Sequence, residues 1–390
     1  MDISKIQSKF TTLFGSQPLL FRSPGRINII GEHTDYNEGF VLPAAIDKAV
    51  IVAVAKRDDE TIKLYAEKYS ELFEIQLSEV LPSAVQWANY ILGVVAELQT
   101  RGHKISGFEL LLDGDIPGGA GLSSSAAIEC AVVFALNDMY DLKIDKLEMV
   151  KIAQKAEHNF AGVMCGIMDQ FASMFGKENH ALRLDCKTLE YKYVPLNLPG
   201  YKIVLLNTNV KHNLASSAYN KRRASCFQGV EWVKAFHPEV NSLRDVSLEM
   251  LNAIVKEKDE DVYVKCKFIV EEIERLQSAC VALEANDIVS LGAKMFETHD
   301  GLSKAYEVSC EELDYLVDQV RDNPNVIGSR MMGGGFGGCT INIVKEDTVD
   351  ALIEQLATKY EHKFGLKLDV YAVKIEDGSG VVKIPSMHVN

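Results

Sequence analysis

Glu32, His33 and Asp35 stand together in the stretch "GRINIIGEHTDYNEG", residues 25–39, straight after Gly31 and with Arg26 and Glu38 close by. The flanking runs, Ile27-Asn28-Ile29-Ile30 and Phe40-Val41-Leu42-Pro43, read as short strands. A half-buried strand spaces its polar residues by two. These three do not obey that spacing, so they form a polar knot in a turn, and the knot needs a ligand or a partner.

A second constellation is "DGDIPGGAGLSSSAAIECAVVFAL", where Gly118, Gly119 and Gly121 separate an apolar strand from a helix starting near Ser123. Free backbone amides, a helix N-terminus and three hydroxyls make a cradle for phosphate. Ser125 there offers a hydroxyl to a magnesium ion. The plain alternative is a tight turn with serine N-caps. The lysine of a Walker loop is absent, and the dinucleotide pattern G-x-G-x-x-G ends in Ser124 instead of glycine. The region about 20 residues on is a helix end, "LNDMYDL", with no acidic strand end, which argues against a dehydrogenase.

"AQKAEHNFAGVMCGIMDQFASMFG" sets Glu157, His158, Asp169 and Gln170 in apolar surroundings. A carboxylate in such company is paired or functional. The ordinary readings are a solvated helix face for Glu157 and an N-cap for Asp169. "GSRMMGGGFGGCTINIV" carries Gly333, Gly334, Gly335, Gly337 and Gly338 before a strand, a sign of backbone passing close to another backbone or a ligand. "SSAYNKRRAS" gathers Tyr219, Arg222 and Arg223 at a helix start, where positive charge is slightly unfavourable. His158, His180, His212 and His299 show no metal-ligand spacing.

The elements that must position these groups follow from period and punctuation. "MDISKIQSKFTTLFG" reads as an amphipathic helix, and "KAVIVAVAKRDD" and "FELLLDGDIP" read as strands. Residues 84–102 form a helix closed by Gly102, with Trp87, Ile91, Val94, Val95 and Leu98 on one face. Helices are expected over 123–138 and 146–161, then a strand-rich stretch, "LEYKYVPLNLPGYKIVLLNTNV". Helical patterns dominate from about 215 to 322, including a capping-box start at Ser309-Cys310-Glu311-Glu312. The strand "CTINIV", a helix over 347–364 and the strand "LDVYAVKI" complete the pattern. Strands grouped around helices, without strict alternation, predict an α+β protein of two domains, 1–180 and 181–390.

Composition narrows the function classes. The 390 residues carry a formal charge of −14, with 47% hydrophobic and 25% charged residues. That balance is globular, and it disfavours nucleic acid or an anionic membrane as partner. A small anionic ligand remains compatible, because glycine loops and a metal hold phosphate locally. No segment approaches the length of a transmembrane helix, and the N-terminus lacks a signal-peptide core. Eight single cysteines without a C-x-x-C pair predict core thiols in a reducing cytoplasm.

With these segments in view, the chain resembles the galactokinases of the GHMP small-molecule kinase family along nearly its whole length. "GRINIIGEHTDYNEGFVLPAAID" resembles the galactokinase signature, "GGAGLSSSAA" the family's ATP loop, "MDQF" its catalytic-base segment and "GGGFGGC" its third motif. "WANYILGV" and "SAYNKRR" are similar to galactokinases rather than to GHMP kinases at large. The resemblance implies an N-terminal α+β domain like ribosomal protein S5 domain 2. It implies a ferredoxin-like α+β C-terminal domain, with the active site in the cleft between the two.

It also implies ATP-dependent phosphorylation of α-D-galactose at the C1 hydroxyl, the first step of galactose catabolism. Asp169 would accept the hydroxyl proton, and Arg26 would keep that carboxylate charged and offset charge on the transferring group. Ser125 and Glu157 would hold Mg2+. Gly119, Ala120, Gly121, Leu122, Ser123, Ser124 and Ser125 would cradle the phosphates. Glu32, His33, Thr34, Asp35, Gly166 and Tyr219 would contact the sugar, whose hydroxyls suit clustered short polar partners. The expected partners are galactose and ATP, with the protein a cytoplasmic monomer. Three rivals stand beside this reading. One is a sibling kinase for N-acetylgalactosamine or arabinose, and another is a non-catalytic galactose and ATP sensor. The third, a mevalonate-type kinase, is disfavoured by the "GEHTDY" turn.

Overall fold

The computed structural model describes residues 1–210 and 215–382, with the side chains of 215 and 216 left undescribed; His212 lies outside the described residues. Helix α1 (Ile3–Phe14) is capped by Asp2, whose carboxylate accepts from the Ser4 and Lys5 amides, and ends at left-handed Gly15. The strands that follow are β1 (Leu19–Asn28), β2 (Phe40–Val41), β3 (Pro43–Lys56), β4 (Thr61–Ala66), β5 (Glu71–Gln76) and β6 (Phe108–Gly114). Helix α2 (Gln86–Thr100) precedes β6, and α3 (Ser124–Tyr140), α4 (Lys146–Ala156) and α5 (Met168–Phe175) come after it. The expected helix over 146–161 is α4 continued by one wider turn, Glu157–Ala161.

The second half contains β7 (His180–Asp185), β8 (Tyr191–Pro195), β9 (Tyr201–Asn207), β10 (Val326–Met331), β11 (Cys339–Lys345), β12 (Asp369–Val373) and β13 (Gly380–Val381). Its helices are α6 (Ala215–Lys234), the short α7 (Leu248–Met250), α8 (Glu260–Glu284), α9 (Ile288–Asp300), α10 (Glu311–Arg321) and α11 (Val349–Phe364). Among the described residues there are three sheets, ordered β13-β1-β3-β6-β4-β5, β10-β11-β9-β12 and β2-β7-β8. The chain is therefore α+β, as its grouped strands predict. Among the described residues, no helix is long and apolar enough to cross a membrane.

One face of the first sheet packs on α2 to α5, burying Phe21, Val52, Val54 and Leu110 against Ile91, Val95, Ala131 and Phe171. Helix α1 covers the other face through Ile6 and Phe10. Helix α3 runs through this core and is apolar nearly all round, as a helix with no wet face must be. The second sheet is covered on one side by α6, α8 and α9 and on the other by α10 and α11.

Two local features differ from expectation or refine it. Helix α10 starts at Glu311 with Cys310 as an N-cap that makes no side-chain bond, so the Ser309 capping box does not form. Tertiary bonds fix the residues just before it: Val308 donates to Leu302 O and accepts from Phe336 N. Strand β1 slips register against β3 between Pro24 and Arg26. Gly25 fills the slip, where a Cβ would come within 2.8 Å of Leu122 O. A bulge of this kind re-aims the next side chain, and here that side chain is Arg26.

Candidate active site

The turn after β1 is held from several sides. Gly31 has φ +94°, and a Cβ there would strike Leu276 Cδ1 at 2.4 Å and Phe40 O at 2.9 Å. Its amide donates to Glu272 Oε1 at 3.0 Å, an acid on α8 that is itself fully buried. The Thr34 hydroxyl lies 2.5 Å from Phe40 O and 3.0 Å from Gly31 O and shares its one proton between them, and Asn37 donates to His33 O at 2.9 Å. The Thr34 hydroxyl thus closes the turn, while Glu32, His33 and Asp35 line a cavity of about 430 Å³.

That cavity also presents Arg26, Gly166, Asp169, Tyr219 and the glycines 333–335. Gly166 has a steric reason to be glycine: a Cβ would overlap Asp35 Oδ2 at 1.8 Å. Burial, helped by the charge of Asp169, pushes the Asp35 carboxyl up to about 6. Burial pushes the His33 imidazole down to about 4, so it is neutral at pH 7. Its Nδ1 lies 2.8 Å from Tyr36 OH, and its buried Nε2 has no partner of hydrogen-bond geometry. Burial and the Asp35 charge also keep the Tyr219 phenol protonated far above neutral pH. Glu32 accepts from Gly333 N at 2.8 Å and from Arg330 Nη2 at 3.0 Å.

A neighbouring cavity of about 350 Å³ is lined by Gly119, Gly121, Ser123, Ser125 and the loop 332–338. Gly119 and Gly121 adopt φ +76° and +71°, conformations that L side chains rarely take. Ala120 and Leu122 point into the core, so only their backbone can face this cavity. Ser124 is exposed and does not line it. The five glycines of the last motif meet both expectations. A Cβ on Gly335 would lie 2.0 Å from Val308 O, and all five line this compartment.

The two compartments meet at Arg26 and Asp169. Arg26 Nε donates to Asp169 Oδ1 at 2.7 Å and Nη2 to Oδ2 at 2.9 Å, a two-pronged fork. Its Nη1 donates to Gly121 O at 2.6 Å, and Ser123 Oγ donates to Asp169 Oδ2 at 2.5 Å. Burial works against the Arg26 charge, but Asp169 outweighs it and holds the guanidinium above its ordinary pKa. Asp169 is not an N-cap: Ile167 holds that position on α5.

Glu157 is not on a solvated face either, being 6% exposed. Ser125 Oγ donates to Glu157 Oε1 at 2.7 Å, and Gln170 Nε2 donates to its Oε2 at 2.6 Å. Burial raises this carboxyl above the usual range, with the charge of Asp169 adding to it and the Ser125 bond opposing it. Beside it lies Glu129, 0% exposed, raised further by burial and by Glu157. Glu129 is not among the residues the motifs single out; its signal in the sequence is its place four residues after Ser125, in the apolar run "AAIECAVVFAL".

A hydroxyl and a carboxylate oxygen are hard donors suited to Mg2+. Among the described residues no group of three or more His, Cys, Asp or Glu side chains converges to hold a metal. The donor set fits an ion that takes its other ligands from phosphate and water. Other sequence candidates turn out to be ties. Arg222 donates to Tyr306 O and Glu307, Arg223 to Met164 O, and His158 pairs with Cys165 O.

Residues 8–56 match the galactokinase galactose-binding signature, 89–177 the GHMP kinases N-terminal domain and 279–362 the GHMP kinases C-terminal domain. A galactokinase of Thermosipho africanus is 42% identical over 93% of this chain and 99% of its own length. One of Clostridium acetobutylicum is 43% identical over 97% and 99%. The crystal structure of Lactococcus lactis galactokinase complexed with galactose superposes with a TM-score of 0.93 at 37% identity, over 97% of this chain and 100% of that one. Methanococcus jannaschii mevalonate kinase, 18% identical with a TM-score of 0.68, shares the fold.

Proposed function

This chain belongs to the galactokinase family of GHMP kinases, and from that premise we propose that its cleft transfers the γ-phosphoryl group of ATP to the C1 hydroxyl of α-D-galactose. The observation that carries the reading is the Arg26–Asp169 fork at the junction of the two compartments. Sugar occupies the compartment of Glu32, His33, Asp35 and Tyr219. The triphosphate occupies that of Gly119, Gly121, Ser123 and Ser125. The reacting oxygen and phosphorus then meet beside Asp169.

In the reaction the C1 oxygen bonds to the γ-phosphorus and the bond to the β,γ-bridging oxygen breaks. ADP leaves, and the hydroxyl proton passes to Asp169. Arg26 and Ser123 between them occupy both acceptor sites of Asp169 Oδ2, while Oδ1 accepts only from Arg26 Nε and keeps a lone pair to take that proton. Arg26 holds the carboxylate in place and puts positive charge beside the oxygens of the transferring group. Gly119, Gly121 and Ser123 orient the phosphates with their backbone amides, while the Ser123 hydroxyl holds Asp169. Such a reaction depends on positioning and electrostatics more than on covalent chemistry. Ser125 and Glu157 would hold Mg2+, which when bound neutralises charge on the β- and γ-phosphates. We take the protein as a cytoplasmic monomer acting on two small molecules; its eight free cysteines support the reducing compartment.

Glu157→Ala is expected to raise the magnesium concentration needed for half-maximal activity by about tenfold or more, the usual scale for a lost metal contact. Galactose affinity should hold. Unchanged magnesium dependence would leave Glu157 as a support for Gln170 alone.

The reading as a whole is tested by offering galactose, glucose, N-acetylgalactosamine and arabinose with Mg-ATP. Galactose should be phosphorylated best. Glucose, its C4 epimer, leaves a polar group of the site unpaired and is expected to be rejected by about 10⁴-fold. Asp35→Ala should raise the galactose KM strongly without creating a glucose kinase. It should not lower the melting temperature at pH 7.5. A buried acid raised to about 6 keeps a proton that the unfolded chain releases near 4, so its charge costs stability above pH 6 and that cost fades as pH falls. For the same reason the galactose KM of the unaltered protein should rise as pH drops through about 6. An unaltered KM in Asp35→Ala would remove Asp35 from the sugar contacts.

A further inference from the structure

After β12 the chain leaves the second sheet and crosses back to the first. Ile375 bridges Ile46, Glu376 N donates to Ala45 O at 3.0 Å, and Gly378 N donates to Gly176 O at 2.9 Å. Val382 N donates to Leu20 O at 2.9 Å, and β13 pairs with β1 at Phe21 and Arg22. The crossing is tight enough to require glycine: a Cβ on Gly378 would meet Met174 O at 2.5 Å.

Ser379 sits at the centre of this strap and is 5% exposed. Its amide donates to Ser173 O at 2.8 Å. Its hydroxyl lies 2.9 Å from Ser173 O and 2.9 Å from Ser23 Oγ. A hydroxyl has one proton to give, so a bond to the carbonyl leaves Ser23 to donate in the other. Ser23 is on β1, three residues before Arg26, and Ser173 is on α5, four residues after Asp169. One buried side chain therefore touches both elements that carry the fork. The bulge at Gly25 lies between Ser23 and Arg26, where β1 has lost part of its pairing with β3. A contact that fixes β1 against α5 has most effect beside such a break.

We propose that Ser379 is a positioning residue for phosphoryl transfer: by bonding Ser23 and Ser173 it fixes α5 against β1, and so sets where Asp169 stands relative to Arg26 and the sugar C1 hydroxyl. The role rests on the reading of Asp169 as the proton acceptor. Ser379 itself touches neither cavity.

The unaltered protein is assayed first with galactose and Mg-ATP, since failure there is failure of the proposed reaction and not of this role. Ser379→Ala should then lower kcat by about tenfold, because misplacement of a reacting group by a fraction of an ångström is costly. The KM for galactose and for ATP should change less than about twofold, the pattern of an interaction that matters only in the transition state. Ser379→Thr, which keeps the hydroxyl, should restore most of the turnover. Within an Asp169→Asn background the same Ser379→Ala change should cost almost nothing, since groups acting through one another are not additive. A kcat equal to that of the unaltered protein overturns the role, and so does a full extra loss in the Asp169→Asn background. If Ser379→Ala does not fold, Ser23→Ala removes the other half of the contact and is judged by the same outcomes.

Discussion

Asp169→Asn is expected to cut turnover by about 10²–10⁴-fold at saturating galactose and ATP, the scale on which general-base loss is felt. Both oxygens of this carboxylate are fixed by Arg26, and Ser123 bonds one of them. Asparagine keeps the shape but offers one acceptor oxygen and an amide that cannot take up the C1 proton. The other proposed sugar partners, Glu32, His33, Asp35 and Tyr219, keep their places, so galactose binding measured by calorimetry should change by less than about tenfold. The loss must therefore appear in kcat. Near-normal turnover would remove Asp169 from the base role and leave Arg26 and the phosphate cradle as the main source of rate.

Arg330→Met should produce the largest loss of stability, about 3–5 kcal/mol, through the penalty for an unpaired buried acid. Arg330 is 0% exposed. Its guanidinium donates to Ile29 O at 2.8 Å, to Met331 O at 2.5 Å, to Asn28 O and to Glu32. Methionine fills similar volume but leaves those acceptors without a donor, and Glu32 without a cation. The melting temperature should fall by on the order of 10 °C. Arg330→Lys should recover only part, because an ammonium cannot reproduce the planar fork. A Glu32→Gln, Arg330→Met double variant should be more stable than Arg330→Met alone, since it no longer buries the charge. An unchanged melting temperature in Arg330→Met would show that water reaches these acceptors.

Glu32 also illustrates how far residue type alone can lead. Its place after Gly31 marks it as a site candidate, and it lines the cavity proposed for the sugar. One of its oxygens is nevertheless committed to Arg330 and Gly333, about 300 residues away in sequence. Thr34 shows the same limit. It belongs to the polar knot by position, yet its hydroxyl closes the turn on Gly31 O and Phe40 O. The Ser309 capping box is a valid local pattern, displaced by the bond between Phe336 N and Val308 O.

Short-range physics was legible in the sequence by itself. The apolar period of α2 and the glycine-rich strand-to-helix turn before α3 each depend on a few neighbouring residues. So did the family resemblance, since its motifs are runs of adjacent residues. What only the tertiary structure decided lies across long separations: the Arg26–Asp169 fork, the Glu32–Arg330 pair, the burial of Glu129 and Glu157, and the strap that brings Ser379 onto β1 and α5. Each of these is set by how whole elements pack and by a one-residue slip in β1. A buried charge is held at an energy set by partners from distant parts of the chain, and local propensity has no means of naming them.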